Sequence, residues 1–372
     1  MKNNQAQRKA IVLLTAGLAL AAQSQAGPLP TVYRATATVY ANVPDPMGIA
    51  FAADGALYVG RDNAGSGGNW LDAVKIHRVG PGGSPVEEFG RTAILDPDAV
   101  AVDLTGAVSG IPGAVLVGGT DNADATVGHI KAISPTGFVF ELFNGLTDFK
   151  NINDFTLDRS NRLLTVEEAG NWGVVGASSV TVLGVVAQVG QHIATDASNR
   201  VWASTSSDTR IRVYSSGGTL AYYTPFNVKA GSAIASSSSR FWGTNIYAIG
   251  TNGSLLSIDL AGNVKVVGSG FQDVGWMTFG PDGSLYYSDF ANDRIIKVAP
   301  DGGPTVNAQL SCVDICWNSL SNFTYQVQYR SDLTTNQWVN LGSPVPGTGT
   351  DMCVTDNVKG QPQKFYRVVE QP

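Results

Sequence analysis

Five stretches of the chain repeat one pattern, a short apolar strand, a tight turn and a second apolar strand. They are "FAADGALYVG" from Phe51, "LDRSNRLLTV" from Leu157, "TDASNRVWAS" from Thr195, "ASSSSRFWGT" from Ala235 and "FGPDGSLYYS" from Phe279. The turn pairs Asp54-Gly55, Ser160-Asn161, Ser198-Asn199, Ser238-Ser239 and Asp282-Gly283 are mostly residues that tolerate left-handed or locally bonded turns. A sixth copy, "AVAVDLTGAVSGIPGAVLVGG" from Ala99, carries an insertion around Ile111-Pro112-Gly113. The copies recur every ~38 to 55 residues, a repeat with variable loops. After each hairpin come a third strand such as "KIHRVG" or "RIRVYS", a Gly-rich turn and a fourth strand such as "VEEFG" or "VKVVG".

Four antiparallel strands per unit describe a blade, so the expected fold is all-β: a six-bladed β-propeller followed by a small β-sandwich. The last blade has no fourth strand of its own after "RIIKVA", whereas "ATATVYA" near the start has no blade before it. This N-terminal strand is expected to close the ring. The 43 glycines and a charged fraction of only 15% suit a turn-rich β protein of this kind.

Residues 1–26 read as a secretory signal peptide, with Lys2, Arg8 and Lys9 before an apolar Ile11–Ala22 core and "SQA" ending at Ala26. The propeller is expected over 27–305 and the sandwich over 306–372. No apolar run reaches the ~18 residues of a membrane span, so no membrane insertion is expected and the protein is expected to be secreted or periplasmic. Removing three cations takes the net charge from −6 to about −9, which argues against a nucleic-acid partner. Cys312, Cys316 and Cys353 are the only cysteines. Cys316 and Cys353 lie in apolar strands and are expected to pair, while Cys312 stands at the entry to the sandwich.

The segment "FGPDGSLYYSDFANDRIIKV" resembles the NHL repeat, which implies that Asp289, Asn292 and Arg294 hold loop backbone within the blade. "TYQVQYRSDL", Trp338 and the terminal "FYRVV" resemble a fibronectin-like domain carried by exported proteins of Verrucomicrobia and related bacteria. The propeller is also distantly similar to the gluconolactonase (SMP-30-like) family. That resemblance implies a divalent cation at the channel mouth, held by Glu, Asn and Asp at the starts of inner strands. The matching positions are Met47, Asp98, Asn153, Gln191, Gly231 and Gly275. Asp98 and Asn153 carry over as ligands, Met47 stands near the place of the Glu, and Asp45, Asp154 or Asp273 would compensate for it. With so few oxygens, Ca²⁺ is expected to bind weakly or not at all.

The three histidines are scattered, and neither HExxH nor GxSxG occurs. A quinone-dependent sugar dehydrogenase, the other propeller class with "PDG" blades, would need a base at the mouth, where His192 beside Gln191 is the candidate. Asn69-Trp70 and Asn171-Trp172 fall at equivalent points after second strands, where a ring beside an amide suits a sugar. The expected function is therefore binding or scaffolding, with a small molecule or glycan taken at the channel mouth. A metal-dependent lactonase or sugar oxidoreductase is the alternative.

Overall fold

A computed structural model describes residues 27–62, 73–120, 126–186, 190–301, 312–332, 334, 337–358 and 363–371. The chain divides into two compact units, Met1–Asp301 and Gly302–Pro372. The described residues are all-β apart from one 3₁₀ turn, Phe290–Asn292.

The first unit is built from four-stranded antiparallel groups in simple up-and-down order. Pro46–Phe51, Leu57–Arg61, Val74–Val79 and Val86–Ile94 form the first group. Three more four-stranded groups follow, beginning at Ala99, Ile152 and Gly190. Ile234–Ser236 and Val274–Phe279 head two further groups, which the N-terminal segment stitches into one nine-stranded sheet. Thr31–Val32 pairs with Val264–Ser269, and Ala35–Asn42 runs antiparallel along Arg294–Pro300, from Ala35 opposite Pro300 to Asn42 opposite Arg294. The N-terminal strand thus occupies the place left by the missing fourth strand.

The first strand of each group packs on the first strand of the next, and Val274–Phe279 packs back on Pro46–Phe51, so these inner strands run around a closed circuit. Second strands such as Leu163–Glu167 and Leu285–Asp289 are buried along their whole length. Sheets cover them on both faces, and their sequences lose polar alternation accordingly. Outer strands such as Val86–Ile94 and Val264–Ser269 are largely exposed and carry polar residues. The core lies between successive sheets. Tyr58 and Ile76 of one group meet Val100, Val102, Val115 and Val117 of the next, and Ile49, Leu57 and Val59 meet Tyr286 and Ile295 at the junction of first and last.

The turns follow their chemistry, with Gly55, Asn161, Asn199 and Gly283 all at positive φ. Asp158 and Asp196 each accept two backbone N–H groups of their turn and the Nε–H of the Arg that follows the turn pair, at 2.6 Å. One hairpin departs from expectation. Ser238-Ser239 is not a two-residue turn, because the second strand begins only at Ile246. The intervening loop carries Trp242, expected in a strand, which is nevertheless buried against Tyr247 and Phe279.

In the second unit, Cys312–Asn318 runs antiparallel to Asp351–Asn357 and places Cys316 opposite Cys353, which form a disulfide. Thr324–Arg330 pairs with Phe365–Gln371, Val339–Asn340 and Val345–Pro346. Trp317 of the first sheet packs on Tyr325 of the second. The Trp338 ring is held between the Arg330 and Arg367 guanidiniums, 4.6 and 4.4 Å from its centroid.

Candidate ligand site at the channel mouth

The inner strands do not begin regularly. Register shifts interrupt the pairing between Pro46 and Ile49, Ile152 and Asp154, Gly190 and Ile193, and Val274 and Met277. An extra residue in a strand bends it and re-aims its side chain. Met47, Asn153, Gln191, His192, Gly275 and Trp276 all fall within these irregularities.

Trp276 is the side chain around which the site is organised. Its Nε1–H donates to the carbonyl of Asn153 at 3.0 Å, and its backbone N–H donates to Ser288 Oγ at 2.8 Å. Its strand and that of Asn153 lie three steps apart in either direction round the circuit, so the indole reaches across the channel. The His192 ring meets it edge to face at 5.0 Å. His192 Nδ1 lies 3.4 Å from Asp154 Oδ2, which also accepts the N–H of Ile193, while Oδ1 accepts that of Phe155. Asn153 Nδ2 donates to the carbonyl of Gly190 at 2.6 Å. Trp276 consequently belongs to two cavities. On the mouth side it lines an open pocket of about 300 Å³ with Met47, Asp62, Lys229, Asp273, Val274, Phe290 and Ala291. On the other it borders a channel cavity of about 90 Å³ that includes Asp154, Thr156 and Thr278.

Among the described residues no group of three or more His, Cys, Asp or Glu side chains is disposed to hold a metal ion. Asp154 Oδ1 and Oδ2 each accept a backbone N–H, Asn153 Nδ2 donates to the carbonyl of Gly190, and Asp273 is an exposed residue of the mouth pocket. Asp98 is buried, with Oδ1 lacking a hydrogen-bond partner.

The expected aromatic pair also changes. Trp172, expected on a loop, lies in the strand Asn171–Val175 and is fully buried against Tyr214, Leu164 and Val166. It cannot present a face to a ligand. Gly184, directly across the ladder, makes room for it, since a Cβ there would stand 2.4 Å from Trp172 Nε1. Asn171 donates Nδ2–H to the carbonyl of Asp148. Asn69 and Trp70 lie outside the described residues. Gln191 is half-buried beside Gly231. Trp276, Phe290, Lys229 and Asp62 were missed as site residues. The one signal for Trp276 was an indole at the start of an inner strand, in "DVGWMTF".

Asp96, at positive φ and 6% exposed, has its carboxyl pushed up to about 7, by burial first and by the charge of Asp62 next. The folded state therefore keeps a proton that the unfolded chain releases near pH 4. Stability is expected to fall as pH rises from about 4 to 7, with the full cost present above that range. Asp96→Asn keeps a residue that tolerates left-handed backbone. It should raise stability at pH 8 by about 2–4 kcal/mol, since each tenfold change in proton affinity corresponds to about 1.36 kcal/mol, and change little at pH 4. Urea denaturation at the two pH values measures this, and equal effects at both would contradict it.

No family model matches the chain, and no curated protein matches it. Solved structures do resemble it. A streptogramin B lyase shares 15% identity over 72% of this chain and 99% of its own, with a TM-score of 0.51. A gluconolactonase from Xanthomonas campestris shares 11% over 74% and 97%, with a TM-score of 0.53. A protein assigned as an oxidoreductase (glucose dehydrogenase), from Thermus thermophilus, shares 12% over 71% and 99%, with a TM-score of 0.51. At these identities the likeness shows the fold, a β-propeller, and nothing finer.

Proposed function

We propose that this chain is an exported six-bladed propeller with NHL-like blades and a fibronectin-like C-terminal sandwich, and that it binds a small organic molecule at one channel mouth. The observation that carries this reading is Trp276. Pinned across the channel by its bond to Asn153 and by His192, it gives the 300 Å³ pocket a rigid aromatic floor. Concave pockets with apolar walls and a few polar groups are the usual small-molecule sites, and here Met47, Phe290 and Ala291 supply the walls while Lys229, Asp62 and Asp273 supply the polar groups. A sugar ring or another flat apolar face fits that lining.

A second reading, lactone hydrolysis or sugar oxidation, draws on the His192–Asp154 pair beneath the indole and on the fold shared with a gluconolactonase. In it Asp154 orients His192 as a base. The buried position of His192 behind Trp276 favours binding over catalysis.

Ligand-observed NMR against a set of sugars, lactones and aromatic compounds tests the site. Binders should lose about tenfold in affinity in Trp276→Leu, since aromatic contact contributes about 0.5–1.5 kcal/mol beyond burial. Phe290→Ala, on a surface turn, should act in the same direction without disturbing the channel. Binders indifferent to both substitutions would place the site elsewhere. Turnover of a lactone that is lost in His192→Gln would favour the enzyme.

A further inference from the structure

The disulfide of the second unit lies on a surface and not in a core. Cys312–Asn318 and Asp351–Asn357 pair with each other and with no further strand among the described residues. Successive side chains of a strand point to opposite faces. Val313, Ile315 and Trp317 are half-buried with Met352 and Val354, whereas Cys316 and Cys353 are exposed on the other face. The bridge thus crosses the middle of an exposed ladder, between residues directly opposite one another. Buried bridges are shielded from thiolates, and exposed ones are the labile ones. A carboxylate flanks this bridge on each side. Asp314, two residues before Cys316, accepts Thr355 Oγ1–H at 2.6 Å, and Asp351, two residues before Cys353, accepts Asn318 Nδ2–H. Two residues of extended chain span about 7 Å, so both carboxylates stand close to the sulfurs. Their partners are neutral, and neither hydrogen bond brings a balancing cation.

We infer that Cys316–Cys353 is a site of thiol–disulfide exchange in the folded protein, open to small thiols and selecting cationic or neutral ones over anionic ones. A thiolate attacks Sγ of one cysteine, forming a mixed disulfide and releasing the other cysteine as a thiolate that takes up a proton. A second thiol attacks the mixed disulfide and releases the remaining cysteine. Two thiols are oxidised to a disulfide while the bridge gains two electrons and two protons. The carboxylates of Asp314 and Asp351 repel an approaching anion and so set the preference. This chemistry is independent of the ligand site of the first unit.

Three dithiols, whose second thiol carries the reaction to completion, test access and charge: dithiobutylamine is cationic, dithiothreitol neutral and dihydrolipoate anionic. The full mature protein is treated with each at low salt, quenched with acid and alkylated, and labelling at Cys316 and Cys353 is followed by mass spectrometry. Each rate is divided by that of the same reagent on hydroxyethyl disulfide, a neutral reference that removes intrinsic reactivity. Both cysteines should be labelled at a rate proportional to dithiol and unchanged by urea too dilute to unfold the second unit. The normalised rate for dithiobutylamine should exceed that for dihydrolipoate by about fivefold or more, and either raised salt or Asp314→Asn with Asp351→Asn should remove most of the difference. Labelling that accelerates with urea in step with unfolding would mean that the bridge is reached only through the unfolded state, and it overturns the inference. Equal normalised rates for the three dithiols overturn it as well, as does a preference that persists in the double Asn variant.

Discussion

Replacing Asp289 by alanine is expected to lower the stability of the first unit by about 3–5 kcal/mol, the usual cost of removing one partner from a buried ion pair. Both side chains are only 5% exposed, and Arg294 Nε–H donates to Asp289 Oδ2 at 2.7 Å. The pair anchors a wider set of contacts. Asn292 donates to Asp289 Oδ1, Arg294 donates to the carbonyl of Gly27, and the N–H of Gly27 donates to Asn292 Oδ1. Arg294 also lies opposite Asn42 at the end of the N-terminal strand. Without its carboxylate the guanidinium is left buried and uncompensated, where the N-terminal segment joins the last group of strands. The double variant Asp289→Ala with Arg294→Leu should recover a large part of the loss, because it removes the stranded charge. Denaturant unfolding of the full chain measures both. A single variant within about 1 kcal/mol of the parent would show that the pair is not what holds this junction.

Removing the disulfide with Cys316→Ala and Cys353→Ala should cost the second unit about 3–4 kcal/mol, from the entropy of a loop with a sequence separation of 37. A unit spanning only Gly302–Pro372 has a small core, with Tyr325 and Val327 its chief buried apolar residues. That loss is comparable to the whole stability expected of a domain this size. Calorimetry should show the transition of the second unit lowered sharply or lost, with that of Met1–Asp301 unmoved. Reductant should reproduce the effect in the parent. Cys312 is exposed and outside the bridge, so Cys312→Ser should change neither transition. A second unit that melts as before would mean that its packing, including the Trp338 clamp, suffices alone.

The repeat was legible because local chemistry decides it. Asp-Gly and Ser-Asn pairs fix where four of the hairpins turn, and the apolar runs that follow them mark the buried second strands. The pairing of Cys316 with Cys353 followed from two cysteines in apolar strands, and the roles of Asp289, Asn292 and Arg294 were implied by the resemblance of their segment to the NHL repeat. The candidate site was not legible in the same way, since it joins side chains from strands on opposite sides of the circuit at points where the ladder is interrupted. Trp172 and Trp276 show the difference. Equal spacing after a second strand placed Trp172 on a ligand-facing loop, but the ladder continues through it and buries it opposite Gly184. Alternation gave no reason to single out Trp276, whereas the irregularity between Val274 and Met277 sets its indole across the channel to Asn153, 123 residues away. Turn and strand signals act over a few residues and survive in a linear reading. The direction of a side chain at a bulge, and the carboxyls it gathers from other blades, are set only when the circuit closes.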